Sequence, residues 1–201
     1  MTTISKKIYI VHDYRANSND HWYPWLSREI KSLGHQAKRI MLANPVQPNL
    51  QEWRENLALQ IPKLDEHTIL IGHGLSVLSL LDYLQDQYFK TSQSIQSLIM
   101  VAGFDQPVVA WSELNQAIRQ IKLNYTQLQY AAERYVMFMS NNDPYIPAPH
   151  SLRLAHALNA AIIEQKAAGH FVKETGFLQF PELLDAVKHC LKNEKQSAVS
   201  L

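Results

Sequence analysis

The stretch ILIGHGLSVLSLL, residues 69–81, constrains the fold more than any other. A continuous apolar run ends in Gly72-His73-Gly74 and passes straight into a segment with apolar residues at helical spacing. A short run apolar at every position suits a strand buried on both faces, as in a parallel sheet covered by helices. Acyl hydrolases, nucleotide-binding loops and plain turns all use such a strand–glycine–helix junction. In the hydrolases a serine stands at the bend, and here that position is Gly74.

The rest of the chain alternates in the same way. Strands are expected at Lys7–Val11, in HQAKRIML (35–42), in HTILIG (67–72), in IQSLIMVAG (95–103), in RYVMFMSNND (134–143) and in AAIIEQKA (160–167). Between them fall helix patterns. Trp22, Trp25, Leu26, Ile30 and Leu33 form one stripe, stopped by Gly34, with Pro24 tolerable in the first turn. Asn49 is placed to cap a helix running to about Leu59, before Pro62. Leu75–Leu84 is apolar nearly all round and therefore a buried helix. Further helices are expected at Pro149–Asn159 and in FPELLDAVKHCL (180–191). This βα alternation predicts a three-layer α/β fold with a mostly parallel sheet, in one domain spanning residues 1–201. Residues 104–132 break the rhythm with two helical stretches, Trp111–Ile121 and Tyr125–Ala132, and read as a small cap. The polar tail 194–201 is expected to fray.

Composition narrows the function. The 201 residues suffice for a sizeable core, and 46% hydrophobic against 18% charged content indicates a globular chain. A formal charge of +1 gives no electrostatic case for nucleic acid or an anionic membrane surface. No apolar run is long enough to span a membrane, and MTTISKKIYIV lacks the features of a signal peptide. The single cysteine, Cys190, excludes an intrachain disulfide. Together these predict a soluble cytoplasmic protein.

Two site classes are disfavoured. Gly72-x-Gly74-x-x-Val77 fails the dinucleotide fingerprint, which needs a small third residue and a place on the first strand. No Gly-Lys-Ser/Thr follows it, so no phosphate loop is present. The nine histidines form no pair or Cys cluster at ligand spacing, so neither a metal nor another cofactor is expected.

The hydrolase reading needs a nucleophile elbow, then an acid, then a histidine, each at a strand end. The elbow backbone falls at Gly74. Asp143 follows the fifth strand in SNNDPYIP, and His170 follows the sixth in KAAGHF. In this order Asp143 would orient His170, and His170 would serve as general base and then acid. The Leu75 amide opens a helix and is a candidate oxyanion donor, with His73 beside it. A second amide would come from His12-Asp13 after the first strand, two residues that are equally ordinary turn formers.

Four segments in this order resemble the small serine hydrolases of the YdeN and retinoblastoma-binding hydrolase type, which are compact α/β-hydrolases. IVHDYRANSNDHWYPWL is similar to that family's first strand and its His-Trp-x-x-Trp helix, here His21, Trp22 and Trp25. TILIGHGLS resembles the family elbow, SNNDPYIP its acid loop and AAGHF its histidine loop. The resemblance spans about residues 6–192 and implies an α/β-hydrolase fold and an acyl ester or amide hydrolase ancestry.

The departure falls on the central residue. Glycine at 74 has no side chain and forms no acyl-enzyme. Ser76 is an alternative nucleophile, but two residues along a helix turn it about 200° away from the elbow direction. The expectation is a degenerate hydrolase that binds a small ester- or amide-like ligand or a protein partner. Activity through Ser76 or water, or Gly74 as a substitution in an active enzyme, are the alternatives.

Overall fold

The computed structural model describes residues 4–192, so the expected fraying of 194–201 lies outside the described residues. Six strands, β1 (Lys7–Val11), β2 (Gln36–Ile40), β3 (Thr68–His73), β4 (Ile95–Val101), β5 (Ala132–Ser140) and β6 (Ala161–Gln165), form one sheet. Their order is β2-β1-β3-β4-β5-β6, and every neighbouring pair is parallel. The helices are α1 (Tyr23–Ser32), α2 (Leu50–Gln60), α3 (Leu75–Thr91), α4 (Asn115–Gln120), α5 (Tyr125–Ala131), α6 (Ala148–Ala157) and α7 (Pro181–Lys192).

Successive strand residues point to opposite faces, and both faces are covered. On one side Leu70, Leu98, Met100 and Met137 pack with Trp53 and Leu57 of α2, the apolar positions of α3, Leu128 of α5 and Leu154 of α6. On the other, Ile8, Ile10, Ile69, Ile71 and Phe138 pack with Leu26 and Ile30 of α1 and Leu183 and Val187 of α7. This two-sided burial is why β3 and β4 are buried at every position and read as unbroken apolar runs. At the far edge, β6 is mostly exposed and has only one neighbour.

The expected elements form, with shifts at their ends. Helix α3 continues seven residues past Leu84, to Thr91, because nothing breaks it before Ser92 adopts a left-handed conformation (φ 54°). The apolar signal stops at Leu84 because the helix leaves the core there, and Phe89 is exposed. Strand β5 starts at Ala132, directly after α5 and in register with Ile95 of β4. The expected helix Trp111–Ile121 is divided into a 3₁₀ segment, Val109–Leu114, and α4. Of the aromatics in this region, Trp111 is buried, Tyr125 donates to Asp105, and Tyr130 stands exposed.

Chain direction fixes where a site can lie. From β1 the chain moves outward to β2, then returns past β1 to β3 and proceeds the other way to β6. The loops leaving the carboxyl ends of β1 and β3 therefore diverge, which opens a crevice between them.

Helix α2 begins as expected from Asn49, whose side-chain oxygen accepts from the amides of Gln51 and Glu52 at 3.0 and 3.3 Å. Asn49→Ala is expected to lower unfolding free energy by about 1 kcal/mol in urea titration, with no change in the site described next.

Candidate active site

At Gly74 the backbone takes φ 54° and ψ −121° between β3 and α3. The positive φ suits glycine, and a side chain there costs about 1–3 kcal/mol. The bend also has no room for one. A Cβ built on Gly74 would overlap both carboxylate oxygens and the Cγ of Asp13. The volume that a side chain at 74 would take is filled here by a carboxylate from the neighbouring strand's loop.

Asp13 is held at both oxygens. Oδ1 accepts from the Leu75 amide at 2.7 Å, the first N–H of α3. Oδ2 is 2.9 Å from His170 Nε2. On its other side His170 Nδ1 is 2.7 Å from Asp143 Oδ2. The order is therefore Leu75 N–H, Asp13, His170, Asp143, with Asp13 and His170 both buried. The sequence-derived residues Gly74, Leu75, Asp143 and His170 converge as one group, with Asp13 as the piece between them.

The acid and histidine loops are joined residue by residue. Asn141 Oδ1 accepts from Ala167 N–H, Ser140 Oγ from Ala168 N–H, and Asn142 Oδ1 from Gly169 N–H, at 3.0, 3.1 and 2.8 Å. Asp143 Oδ1 accepts from the amides of Tyr145 and Ile146, which closes its own turn. Trp22 donates its indole N–H to the Phe171 carbonyl at 3.1 Å, so the tryptophan before α1 pins the histidine loop. None of these polar ties has a periodic signal in sequence; the run Ser140-Asn141-Asn142-Asp143 is the only hint.

The other candidates sit nearby with different tasks. His12 accepts from Leu42 N–H at Nε2 (3.0 Å) and donates from Nδ1 to the Asp13 carbonyl (2.9 Å), so its ring shapes the loop. The Asp13 amide donates to Tyr23 Oη at 3.3 Å rather than facing the cleft. His73 lies behind the elbow, where Tyr23 O–H donates to its Nδ1 and its Nε2–H donates to the His170 carbonyl, at 2.7 and 2.8 Å. Burial pushes the His73 imidazole down to about 3, so the ring is neutral and supports this tautomer. Ser76 is fully buried; its Oγ donates toward the carbonyls of Val11 and His73 and accepts from the His73 amide. It braces the elbow and has no path to a ligand.

The electrostatics follow from the geometry. Burial lowers the His170 imidazole, but the hydrogen bonds and charges of Asp13 and Asp143 outweigh that and raise it to about 9. Burial raises the Asp13 carboxyl, and the hydrogen bond and charge of His170, with the Leu75 amide, hold it below the usual carboxylate range. At neutral pH the pair is a carboxylate and an imidazolium. Asp13, His73 and His170 also bring ligand-type atoms within 4.8 Å of one another, a grouping that sequence spacing does not show. Each ring nitrogen already has a hydrogen-bond partner, and Asp13 spends both oxygens on Leu75 and His170.

In front of Asp13 and His170 lies a cleft of about 370 Å³, lined also by Arg15, His21, Trp111, Tyr145 and Glu174. Trp111 and Tyr145 stack with ring centroids 5.5 Å apart, and both stand edge-on to His170. A larger cleft of about 690 Å³ opens beside the starts of β5 and β6 and holds none of these residues.

A glycine elbow after the third strand, with an acid and a histidine after later strands, defines the α/β-hydrolase class. The family model for serine hydrolases matches residues 8–189, and the chain belongs to that family. It is 29% identical over 191 residues to the putative hydrolase YdeN of Bacillus subtilis, covering 95% of this chain and 99% of that one. It is 21% identical over 171 residues to the serine hydrolase RBBP9 of Rattus norvegicus, covering 85% and 86%. The crystal structure of the B. subtilis ydeN product superposes with a TM-score of 0.87, covering 94% of this chain and all of that one. Est1E from Butyrivibrio proteoclasticus, at 13% identity and a TM-score of 0.69, shares the fold.

Two measurements check this site. Gly74→Ser is expected to lower the melting temperature, because it adds backbone strain and displaces Asp13. Asp13→Gly in the same chain is expected to recover part of that loss, which a double-mutant cycle reads as coupling. An unchanged or higher melting temperature for Gly74→Ser would contradict the elbow geometry. The second concerns pH. The folded His170 value lies above its ordinary 6.5, so its stabilisation is complete below pH 6.5 and disappears as pH rises through about 9. The full effect is on the order of 3 kcal/mol, and a His170→Gln chain should lack that alkaline decline in thermal melts.

Proposed function

We propose that this chain is a serine-hydrolase scaffold that does not carry out seryl acyl transfer, and that its site takes a small molecule in the cleft before Asp13. One observation carries the reading: the Asp13 carboxylate fills the space of a side chain at 74 and occupies both Leu75 N–H and His170 Nε2. An acyl-enzyme needs a hydroxyl at the elbow, a base free to take its proton and an open oxyanion donor. A single carboxylate takes all three places.

The alternatives are weaker on the same ground. Ser76 is enclosed by the backbone of β1 and β3. Water activated by His170 needs a neutral imidazole, whereas the ring is held protonated up to about pH 9. A serine restored at 74 alone would collide with Asp13, so Gly74 and Asp13 belong together as a matched pair.

The test uses a fluorophosphonate probe and p-nitrophenyl acetate. The natural chain is expected to take no label on any serine and to show no ester turnover above the uncatalysed rate. The double variant Asp13→Gly/Gly74→Ser frees His170 and the Leu75 amide, and is expected to label at position 74 and raise turnover by about 10²-fold or more. Labelling of the natural chain at Ser76 or another serine would overturn the reading.

A further inference from the structure

Without a serine, the cleft still ends on a carboxylate, a protonated imidazole and a backbone donor. We propose that Asp13 is itself a nucleophile, that it attacks the sp³ carbon of an epoxide bound between Asp13, His170 and the Trp111–Tyr145 wall, and that the product is a vicinal diol. This rests on the preceding reading that no serine reacts here.

The arrangement suits an ester formed on Asp13 and then broken at its own carbonyl carbon. Oδ1 already lies on the Leu75 amide at 2.7 Å, where charge would develop when Cγ becomes tetrahedral. Oδ2 lies 2.9 Å from the imidazole that must move protons, and Asp143 fixes that imidazole from behind at 2.7 Å. Both Asp13 and His170 line the cleft. Trp111 and Tyr145 supply an apolar wall for an aryl or alkyl substituent.

The chemistry of a carboxylate selects the electrophile. Attack on an acyl ester gives a tetrahedral adduct whose better leaving group is the carboxylate, so it reverts. Attack on an epoxide opens a strained ring and does not revert, but the departing alkoxide needs a proton. His170 carries one, since its two flanking carboxylates keep it protonated at neutral pH.

The steps balance. An Oδ2 lone pair bonds the epoxide carbon as that carbon's ring C–O bond breaks. The ring oxygen takes the Nε2 proton of His170, which leaves a hydroxyalkyl ester and a neutral imidazole. Esterification removes the Asp13 charge, and with it one of the two carboxylates that held the proton on His170. Neutral His170 then takes a proton from water as the water oxygen bonds Cγ, and Oδ1 carries the negative charge against Leu75 N–H. Collapse breaks Cγ–Oδ2, and the diol leaves with the proton of the new Cγ hydroxyl. Asp13 returns as a carboxylate and His170 as imidazolium, with epoxide and water consumed.

The test is single turnover with the natural chain in molar excess over styrene oxide, in water enriched in heavy oxygen. The first diol should carry ordinary oxygen from Oδ2, and the peptide containing Asp13 should gain one heavy oxygen. His170→Gln lacks both the proton for ring opening and the base for ester hydrolysis, and should lose at least about 10²-fold in diol formation. Asp13→Asn should lose at least about 10²-fold in diol formation. Heavy oxygen in the first diol with none in Asp13 would show direct water attack and overturn the proposal. So would the absence of any mark on Asp13 with either styrene oxide or propylene oxide, which would make Asp13 a permanent plug. These failures are distinct from that of the preceding reading, which falls only if a serine takes the fluorophosphonate.

Discussion

The site depends on one bridge: the Asp13 carboxylate spans from the Leu75 amide to His170 Nε2 across the space left by Gly74. Remove the carboxylate, and a buried imidazole faces an open helix terminus beside a bare bend. Add a side chain at 74, and the carboxylate has nowhere to lie. The two residues are 61 positions apart in sequence and exclude alternatives for each other in space. Burying charge is costly unless it is paired and hydrogen-bonded, and here Asp13 and His170 satisfy that requirement mutually.

The fold supplies the alignment. β1 and β3 are parallel neighbours, with Val11 beside Gly72, so two residues further on Asp13 comes level with Gly74. The chain leaves these strands in opposite directions, and the crevice forms there. Behind it, Asp13 N–H, Tyr23, His73 and the His170 carbonyl form a hydrogen-bonded line that fixes the histidine loop to the elbow. The acid loop fixes the same loop from its other end through Ser140, Asn141 and Asn142. His170 is thereby immobilised at its backbone and at both ring nitrogens.

Much of the fold was legible because its signals are local. The runs in β3 and β4 are apolar at every position because both faces are covered, and α7 shows its stripe because one face meets the core. Boundaries failed where burial ends before the element does, as in α3 beyond Leu84. Asp143, His170 and the glycine bend could be read from order and strand-end position. The task of Asp13 could not, because HDY after a strand also spells an ordinary turn. Only the register of β1 against β3 turns it toward Gly74. His12, His73 and Ser76 were legible as neighbours of the bend but not as its supports, since their directions depend on contacts with Leu42, Tyr23 and Val11.

The bridge has a direct spectroscopic signature. Nitrogen-15 NMR of the histidine rings, assigned to His170 through its substitution, reports the protonation of each nitrogen. The bridged structure requires both His170 nitrogens to carry protons at about pH 8, with the ring losing one near pH 9 and, in Asp13→Asn, at lower pH. A His170 ring that is already neutral at about pH 8, and unmoved by Asp13→Asn, would contradict the bridge.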